Sequence, residues 1–154
     1  MEQSLSGIRS FNVLRPVANA FAGTVYADGV DMSGVEKLVF ILAKGVGTTG
    51  TVTVTVVAGD DNSPTNEIAI EFTYRRTAAG GVAGAVTKAT TAGFATTAGS
   101  ADSYEIFVDA QALAASGYKF AHLKMVELAA SAVLGGVTAV CFDMANAPTT
   151  GTLL

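Results

Sequence analysis

The 154-residue sequence is poor in the side chains on which most metal and catalytic sites depend. It has one cysteine, Cys141, one histidine, His122, and no tryptophan. A lone cysteine excludes an internal disulfide and a cysteine-based zinc site, and a lone histidine excludes a metal site with two histidine ligands. Cys141 stands in the apolar run 137–142, so we expect a buried, inert thiol. We expect His122 to be a solvent-facing strand residue that shares a strand face with Lys124.

Charged residues are scarce as well, at 14% of the chain against about 25% in typical soluble domains. Alanine, glycine and threonine take their place, so we expect a partner to cover part of this poorly solvated surface. The net charge is −4, and among the nine basic residues only Arg75 and Arg76 are adjacent. Proteins that bind a phosphate backbone cluster their basic residues on one face, so we expect no direct nucleic-acid partner.

No apolar run reaches the roughly 18 consecutive residues that a membrane helix needs. Residues 1–6 lack the basic and apolar regions of a secretory signal peptide. We therefore expect no membrane partner and synthesis in the cytoplasm.

What the sequence does contain is the alternation of β-strands, most clearly in residues 51–57 and 68–74. Valine and threonine alternate through the first run, and apolar residues recur at every second position through the second. Residues 59–66, between them, are turn formers such as Gly59, Asp60 and Pro64. The pattern predicts a β-hairpin.

Further short strands are predicted along the chain. The run 37–43 is apolar on both faces, which predicts a central strand buried on both sides. Asp109 is expected to cap a helical turn over residues 110–115 that ends at Gly117. The other predicted strands are 21–26, 104–108, 119–128 and 137–142, with a possible edge strand at 11–14.

Seven or eight short strands without a long amphipathic helix predict an all-β fold, an antiparallel β-sandwich that is jelly-roll-like or immunoglobulin-like. We expect one domain over residues 1–154, with extended terminal arms at 1–19 and 144–154. Residues 77–100 form a long insert of alanine, glycine and threonine. Composition favours a mobile loop for this insert. The alternative is a β-arm that becomes ordered against a neighbouring subunit.

Candidate chemistry is sparse. Asp60, Asp61 and Asn62 suit a calcium ion in residue type, but they lack the spacing of an EF-hand, and turn formation accounts for them. The run 45–50 has the order Gly-x-Gly-x-x-Gly, yet it joins two strands, whereas the dinucleotide fingerprint joins a strand to a helix. No serine has the setting of a nucleophile elbow. We therefore expect no enzyme activity, no catalytic residue, no cofactor, no metal and no small-molecule substrate.

Two groups of segments carry a resemblance to a known class of proteins. The first is residues 34–42, followed by the hairpin that opens with Gly-Thr-Val-Thr-Val at 50–54 and by the Asp-Asp-Asn-Ser turn at 60–63. The second is Tyr-Lys-Phe-Ala-His-Leu-Lys at 118–124, followed by 137–140 and a tail containing Ala-Pro at 147–148. This order resembles small β-sandwich structural proteins of tailed bacteriophages and prophages, some of which are capsid decoration, or cement, proteins. The insert between Arg76 and Ser103 departs from the simplest members.

The resemblance implies a virion protein that binds the outer surface of the head and stabilises contacts between major capsid protein subunits. It also implies a homotrimer located on the capsid surface. Partner contacts are expected in the N-terminal arm, the insert and the C-terminal tail. The individual contact residues expected there are Leu5, Ile8, Phe11, Val82, Val86, Phe94, Leu153 and Leu154.

Two other functions remain open from the sequence. The chain suits another virion structural component, in the tail, the head-completion complex or the baseplate. A carbohydrate-binding or receptor-binding β-sandwich module is the other alternative, and it would require an aromatic platform or a calcium site.

Overall fold

The computed structural model describes residues 7–46 and 49–143, which form twelve strands and one short helix. The elements are β1 (Ile8–Val17), β2 (Thr24–Tyr26), β3 (Val30–Asp31), β4 (Val35–Lys44), β5 (Thr51–Gly59), β6 (Glu67–Ile70), β7 (Phe72–Thr77), β8 (Thr87–Ala89), β9 (Phe94–Ala95), β10 (Asp102–Asp109), α1 (Ala110–Ser116), β11 (Phe120–Ala129) and β12 (Gly135–Asp143). None of the described helical residues belongs to a helix long and apolar enough to span a membrane.

The strands form two antiparallel sheets. Sheet A has the order β1-β12-β4-β10-β7-β8. Sheet B has the order β2-β11-β5-β6, with β3 also pairing with β11 and β9 also pairing with β5. The inner faces of the two sheets pack on one hydrophobic core, so the predicted all-β sandwich is confirmed.

The core follows from the period-two alternation of the strands. On β4 the inward side chains are Leu38, Phe40 and Leu42, and every second residue of β10 and β5 is likewise buried. Cys141 on β12 is fully buried, as its apolar surroundings predicted. The alternation thus fixes which face of each strand meets the other sheet.

The predicted hairpin is present, but its second strand divides between the two sheets. Residues of β6 pair with β5, where Ile70 lies opposite Val56. After the break at Glu71 the chain enters sheet A, where β7 pairs with β10. Residues 68–74 therefore form two strands at a corner of the sandwich rather than one strand, because a chain can pass from one sheet to the other at such a bend.

The insert at 77–100 packs against its own domain. Its β8 extends the edge of sheet A beside β7, and its β9 pairs with β5 in sheet B. Neither a wholly mobile loop nor an arm ordered only by a neighbouring subunit describes this segment. Residues 79–88 of the insert are exposed throughout, although Ala83 forms a β-bridge with Thr77 and Lys88 pairs with Thr73 of β7.

The ends of the helix and the position of the first strand agree with what the sequence predicts. The Asp109 carboxylate accepts a hydrogen bond of 2.9 Å from the Gln111 N–H and caps α1, and Gly117 ends the helix with φ of 82°. The edge strand expected at 11–14 lies within the longer β1. That strand pairs along β12, so residues 8–17 of the predicted N-terminal arm belong to sheet A.

Candidate functional site

The outward face of sheet A is apolar at its centre, unlike the solvent-facing side of most antiparallel sheets. Side chains opposite each other on neighbouring strands share a face. One such row runs from Val140 through Val39 to Phe107. We call this surface, formed by Ile8, Val39, Ile41, Phe107, Val140 and Phe142, the outer A face.

Every residue of the outer A face retains contact with solvent. Ile8 is 43% exposed and Phe142 is 38% exposed, and the other four are half-buried. The prediction that residues 37–43 are buried on both sides is therefore wrong for the isolated chain. The strand is central, but the described residues place no second layer over its outward side chains, as helices do in parallel sheets.

A groove opens at the α1 end of the outer A face. Its volume is about 690 Å³, and its apolar lining includes Val39, Phe107 and Phe142. Ala112 of α1 lines it as well, and Val86 and Lys88 contribute from the insert at 77–100. The groove therefore lies where the sheet, the helix and the insert meet.

Charges of both signs stand around this apolar lining. Lys37 and Asp109 lie opposite each other on β4 and β10. The Lys88 ammonium lies 2.6 Å from a Glu71 carboxylate oxygen, and both side chains are largely exposed. An exposed ion pair of this kind contributes little to stability. The groove thus offers an apolar floor with two positive and two negative groups nearby.

The predicted contact residues fall into different environments. Ile8 is part of the outer A face, whereas Phe11 lies on the opposite face of the same edge strand and is also exposed. Val82 is 72% exposed and Val86 is 58% exposed on the insert at 77–100. Leu5, Leu153 and Leu154 lie outside the described residues.

Phe94 is a core residue, which corrects its expected role as a surface anchor. It is 8% exposed and lies opposite Val54 of sheet B. Its ring stacks on Tyr74, with centroids 3.9 Å apart and planes 5° from parallel, and it also contacts the rings of Phe72 and Tyr104. Aromatic packing therefore holds the insert to its own domain.

His122 is fully buried, so the prediction of a solvent-facing histidine is wrong. Its face was predicted correctly, because it shares the outward face of sheet B with Lys124. His122 is buried because two loops cover the part of this face around it. The His122 Nε2 lies 2.8 Å from the Asp61 carbonyl oxygen, and Nδ1 lies 3.4 Å from that of Ala27. His122 therefore joins the loop after β2 to the turn between β5 and β6.

The turn that contains Asp60, Asp61 and Asn62 is held by hydrogen bonds within the protein. Asp61 accepts from the Ser63 N–H at 2.7 Å, and Asn62 accepts from the Gly29 N–H at 2.7 Å. The Asn66 side chain donates to Asp60 at 2.8 Å and lowers the pKa of that carboxyl. Across residues 7–46 and 49–143, no three His, Cys, Asp or Glu side chains are grouped to hold a metal ion.

A second charged cluster is buried inside sheet A. Lys44 and Asp102 lie opposite each other on β4 and β10, and both are about 4% exposed. The Asp102 carboxylate accepts from Arg76 at 3.0 Å, while the Lys44 ammonium donates to the Ser100 carbonyl at 2.8 Å. Burial lowers the pKa of Lys44, and the Asp102 charge partly offsets that effect. The direct charge pairing in this cluster is between Arg76 and Asp102.

Ser103 and Ser116 lie apart from His122. Ser103 lies opposite Ala43 on the outward side of sheet A, whereas His122 points outward from sheet B. The Ser116 hydroxyl donates to the Leu113 carbonyl at the end of α1. No serine–histidine pair is therefore assembled from Ser103 or Ser116.

Of the outer A face, only Ile8 is among the contact residues expected from the sequence. The other five residues lie in predicted strands for which no contact is expected, namely Val39, Ile41, Phe107, Val140 and Phe142. The available signal was the two-sided apolar pattern of residues 37–43, combined with the outward position of Val140 and Phe142. In an antiparallel sandwich such a pattern leaves apolar side chains in solvent.

Comparison with known proteins adds little to this description. No protein-family model and no curated protein sequence matches the chain. Among solved structures, the SPBc2 prophage-derived protein YomS is similar, with 12% sequence identity and a TM-score of 0.45. The match covers 87% of this chain and 91% of that one. At this TM-score the similarity supports no functional argument, so the outer A face is interpreted from its own chemistry.

Proposed function

We propose that this chain is a non-catalytic virion structural protein, specifically a bacteriophage capsid decoration protein. In this proposal it binds the outside of the head across contacts between major capsid protein subunits. The observation that carries the proposal is the outer A face, an apolar surface of sheet A that remains in contact with solvent. The resemblance noted in the sequence supplies the class of partner.

The size of the outer A face bounds the affinity of one copy. Four strands about 4.8 Å apart, with three rows of outward side chains about 6.7 Å apart, give a footprint of roughly 400 Å². Six of its twelve side-chain positions are apolar, and the others, such as Lys37, Asp109 and Glu105, are polar or charged. Covering the apolar half, roughly 200 Å², contributes roughly 5 kcal/mol on the side of this chain at about 25 cal/mol per Å². Association itself costs about 4–15 kcal/mol, so one copy is expected to bind weakly.

Weak single contacts suit a protein that acts in many copies. A homotrimer that presents three outer A faces to a repeating shell gains avidity without any new type of contact. A trimer is therefore part of the proposal, and light scattering behind a sizing column measures it. The virion surface is the proposed location.

The test is binding to empty heads assembled from the major capsid protein of the same virus. We expect Val140→Lys to weaken binding at least tenfold, because it places an ammonium at the centre of the outer A face. The matched control is Thr53→Lys, a half-buried outward position on sheet B, which should bind as the unmodified chain does. Raising the salt concentration to about 1 M should weaken binding little, because the contact is chiefly apolar.

Three outcomes would contradict the proposal. Failure of the unmodified chain to bind heads would favour a tail or baseplate component or a receptor-binding module. Equal binding by the two lysine variants would show that the outer A face is not the contact. Release by salt alone would indicate charge pairing instead of apolar contact.

A further inference from the structure

The two ends of the sandwich differ in charge. The end that carries α1 also carries the loop at 28–31 and the turn at 59–66, because β11 begins shortly after the helix and its first residue lies opposite Asp31 and Gly59. The charged residues at this end include Asp28, Asp31, Glu36, Lys37, Asp60, Asp61, Asp109 and Lys119. Six of these eight are acidic, so the α1 end is negatively charged.

The opposite end is formed by described residues of three stretches whose sequences contain no charged side chain. These stretches are residues 16–27, 45–59 and 128–142. Backbone hydrogen bonds join them where the strands end. The Ala20 N–H donates to the Val133 carbonyl at 2.9 Å, and the Gly45 N–H donates to the Leu134 carbonyl at 2.7 Å. Segments distant in sequence therefore form one continuous surface without charge.

Large aliphatic side chains are exposed on this surface. They are 46–73% exposed, and they belong to Val17, Val46, Leu128 and Leu134. We call the surface that these four residues mark the uncharged end. Small apolar residues lie between them, and Ala18, Ala130 and Ala132 are also exposed. Contiguous exposed apolar surface of this kind marks a site of contact with another molecule.

The charged residues that border the uncharged end are few. Glu127 accepts a hydrogen bond of 2.9 Å from the Gly23 N–H. Lys44 and Asp102 are buried in the charged cluster of sheet A. Arg15 is exposed near the end of β1. This border has no cluster of one sign that would select an oppositely charged partner.

We propose that the uncharged end binds the uncharged end of a second copy of this chain. Copies of a chain with a net charge of −4 repel each other, and a surface without charge is where they can meet without placing like charges together. The contact also separates the acidic α1 ends. The nine residues of β5 span about 30 Å, so those ends lie much farther apart than the Debye length of about 8 Å at physiological salt.

The contact leaves the outer A face free. The strands of sheet A run from the α1 end to the uncharged end, and the outer A face lies along their sides. Copies joined at the ends of their strands can therefore present their outer A faces in the same direction, as the proposed homotrimer requires. The inference itself concerns contact between copies, and it stands whether or not the chain binds capsids.

The size of the uncharged end predicts reversible association. A strip three strands wide, about 14 Å, and two sheets deep, about 20 Å with the outer side chains, covers roughly 300 Å². Stable complexes bury about 800 Å² on each partner. We therefore expect the mass of the protein to rise with its concentration.

The experiment is sedimentation equilibrium of the full chain from micromolar to millimolar concentration. We expect Leu134→Asp to raise the midpoint concentration of association at least tenfold, because it adds a carboxylate from each copy to a contact without positive charge. Val46→Asp should act in the same way, and at 73% exposure its side chain is not needed for folding. The matched control is Ile68→Asp, because Ile68 is an exposed apolar residue of β6 and should not affect association. Circular dichroism verifies that each variant is folded.

Three results would overturn the inference. The unmodified chain could remain a monomer throughout the concentration range. The two test variants could associate at the same midpoint as Ile68→Asp, which would place the contact between copies elsewhere. Association could also be lost in about 1 M salt, whereas an uncharged contact should persist there.

Head binding is a separate measurement. A chain that associates through the uncharged end but does not bind heads supports this inference and contradicts the capsid proposal. A dimer that the two test variants dissociate also supports it and contradicts only the homotrimer. A monomer that binds heads contradicts this inference alone, together with the homotrimer.

Discussion

The buried histidine allows a sharp test of how the outward side of sheet B is closed. His122 is fully buried, and its ring nitrogens face the backbone carbonyls of Asp61 and Ala27. Replacing it with alanine removes the ring between two loops, together with the ring N–H that can donate to one of these carbonyls. We expect His122→Ala to destabilise the protein strongly.

Two effects set the size of the expected loss of stability in His122→Ala. Truncation of a large buried side chain to alanine costs about 2–5 kcal/mol where the site cannot collapse. Loss of a hydrogen-bond partner by a buried group adds about 1–3 kcal/mol, although the exposed Asp61 segment can recover water. We therefore expect a loss of about 3–5 kcal/mol in the free energy of unfolding, the lower part of the combined range of about 3–8 kcal/mol. For a chain of this length, that loss lowers Tm by roughly 6–20 °C.

Two amide variants separate the contributions of the ring nitrogens. Glutamine places an amide near the position of Nε2, which lies 2.8 Å from the Asp61 carbonyl. Asparagine reaches the position of Nδ1, which lies 3.4 Å from the Ala27 carbonyl. Because the first distance is the shorter, His122→Gln should retain more stability than His122→Asn. Urea denaturation followed by circular dichroism measures all three variants.

Two results would refute this reasoning. A His122→Ala protein within about 0.5 kcal/mol of the unmodified chain, the usual range for surface substitutions, would mean that His122 is not structurally buried in solution. Equal losses for the glutamine and asparagine variants would mean that the Asp61 contact is not the stronger one.

Two further predictions concern neighbouring contacts and the second charged cluster. A Cβ at Gly29 would lie 2.3 Å from His122 Cε1, so Gly29→Ala should destabilise the protein. In urea denaturation, the double variant G29A/H122A should lose less free energy of unfolding than the two single variants together, because the alanine no longer meets the ring. Additive losses would contradict this steric explanation. Lys44→Met should leave stability at pH 7 unchanged or higher, because it removes a buried cation while Asp102 keeps Arg76. Because burial lowers the folded-state pKa of Lys44, the unfolded chain binds more protons than the folded chain just below pH 10.5. The stability of the unmodified protein should therefore rise relative to that of Lys44→Met as the pH approaches 10.5. A difference in stability between the two proteins that stays constant from about pH 7 to 10 would contradict this prediction.

Local features of the fold were predictable because they depend on neighbours in sequence. The alternation at 51–57 fixed the buried face of β5, and the Asp109 and Gly117 signals fixed the ends of α1. The break at Glu71 was not predictable in this way. Apolar residues keep the same period through 68–74, so the pattern does not show that the chain changes sheets there.

Features that depend on loops crossing a face were also missed. His122 has the outward phase of Lys124, and only the arrangement of the loops around Ala27 and Asp61 buries it. Phe94 stands among small residues, and its burial depends on the distant rings of Phe72 and Tyr74. Sequence separation, rather than weak local signals, is the physical reason for both errors.

The two sheets differ in what they present to solvent, and this difference supports the proposal that a partner covers the outer A face. On β5 the outward residues Thr51, Thr53 and Thr55 are polar, whereas on β4 the corresponding positions include Val39 and Ile41. Both strands are central, antiparallel and buried on their inner side, so the requirements of folding are the same for each. Threonine would satisfy the outward positions of β4 as well as it does those of β5. The apolar residues at the outward positions of β4 are therefore consistent with the proposed contact with another surface.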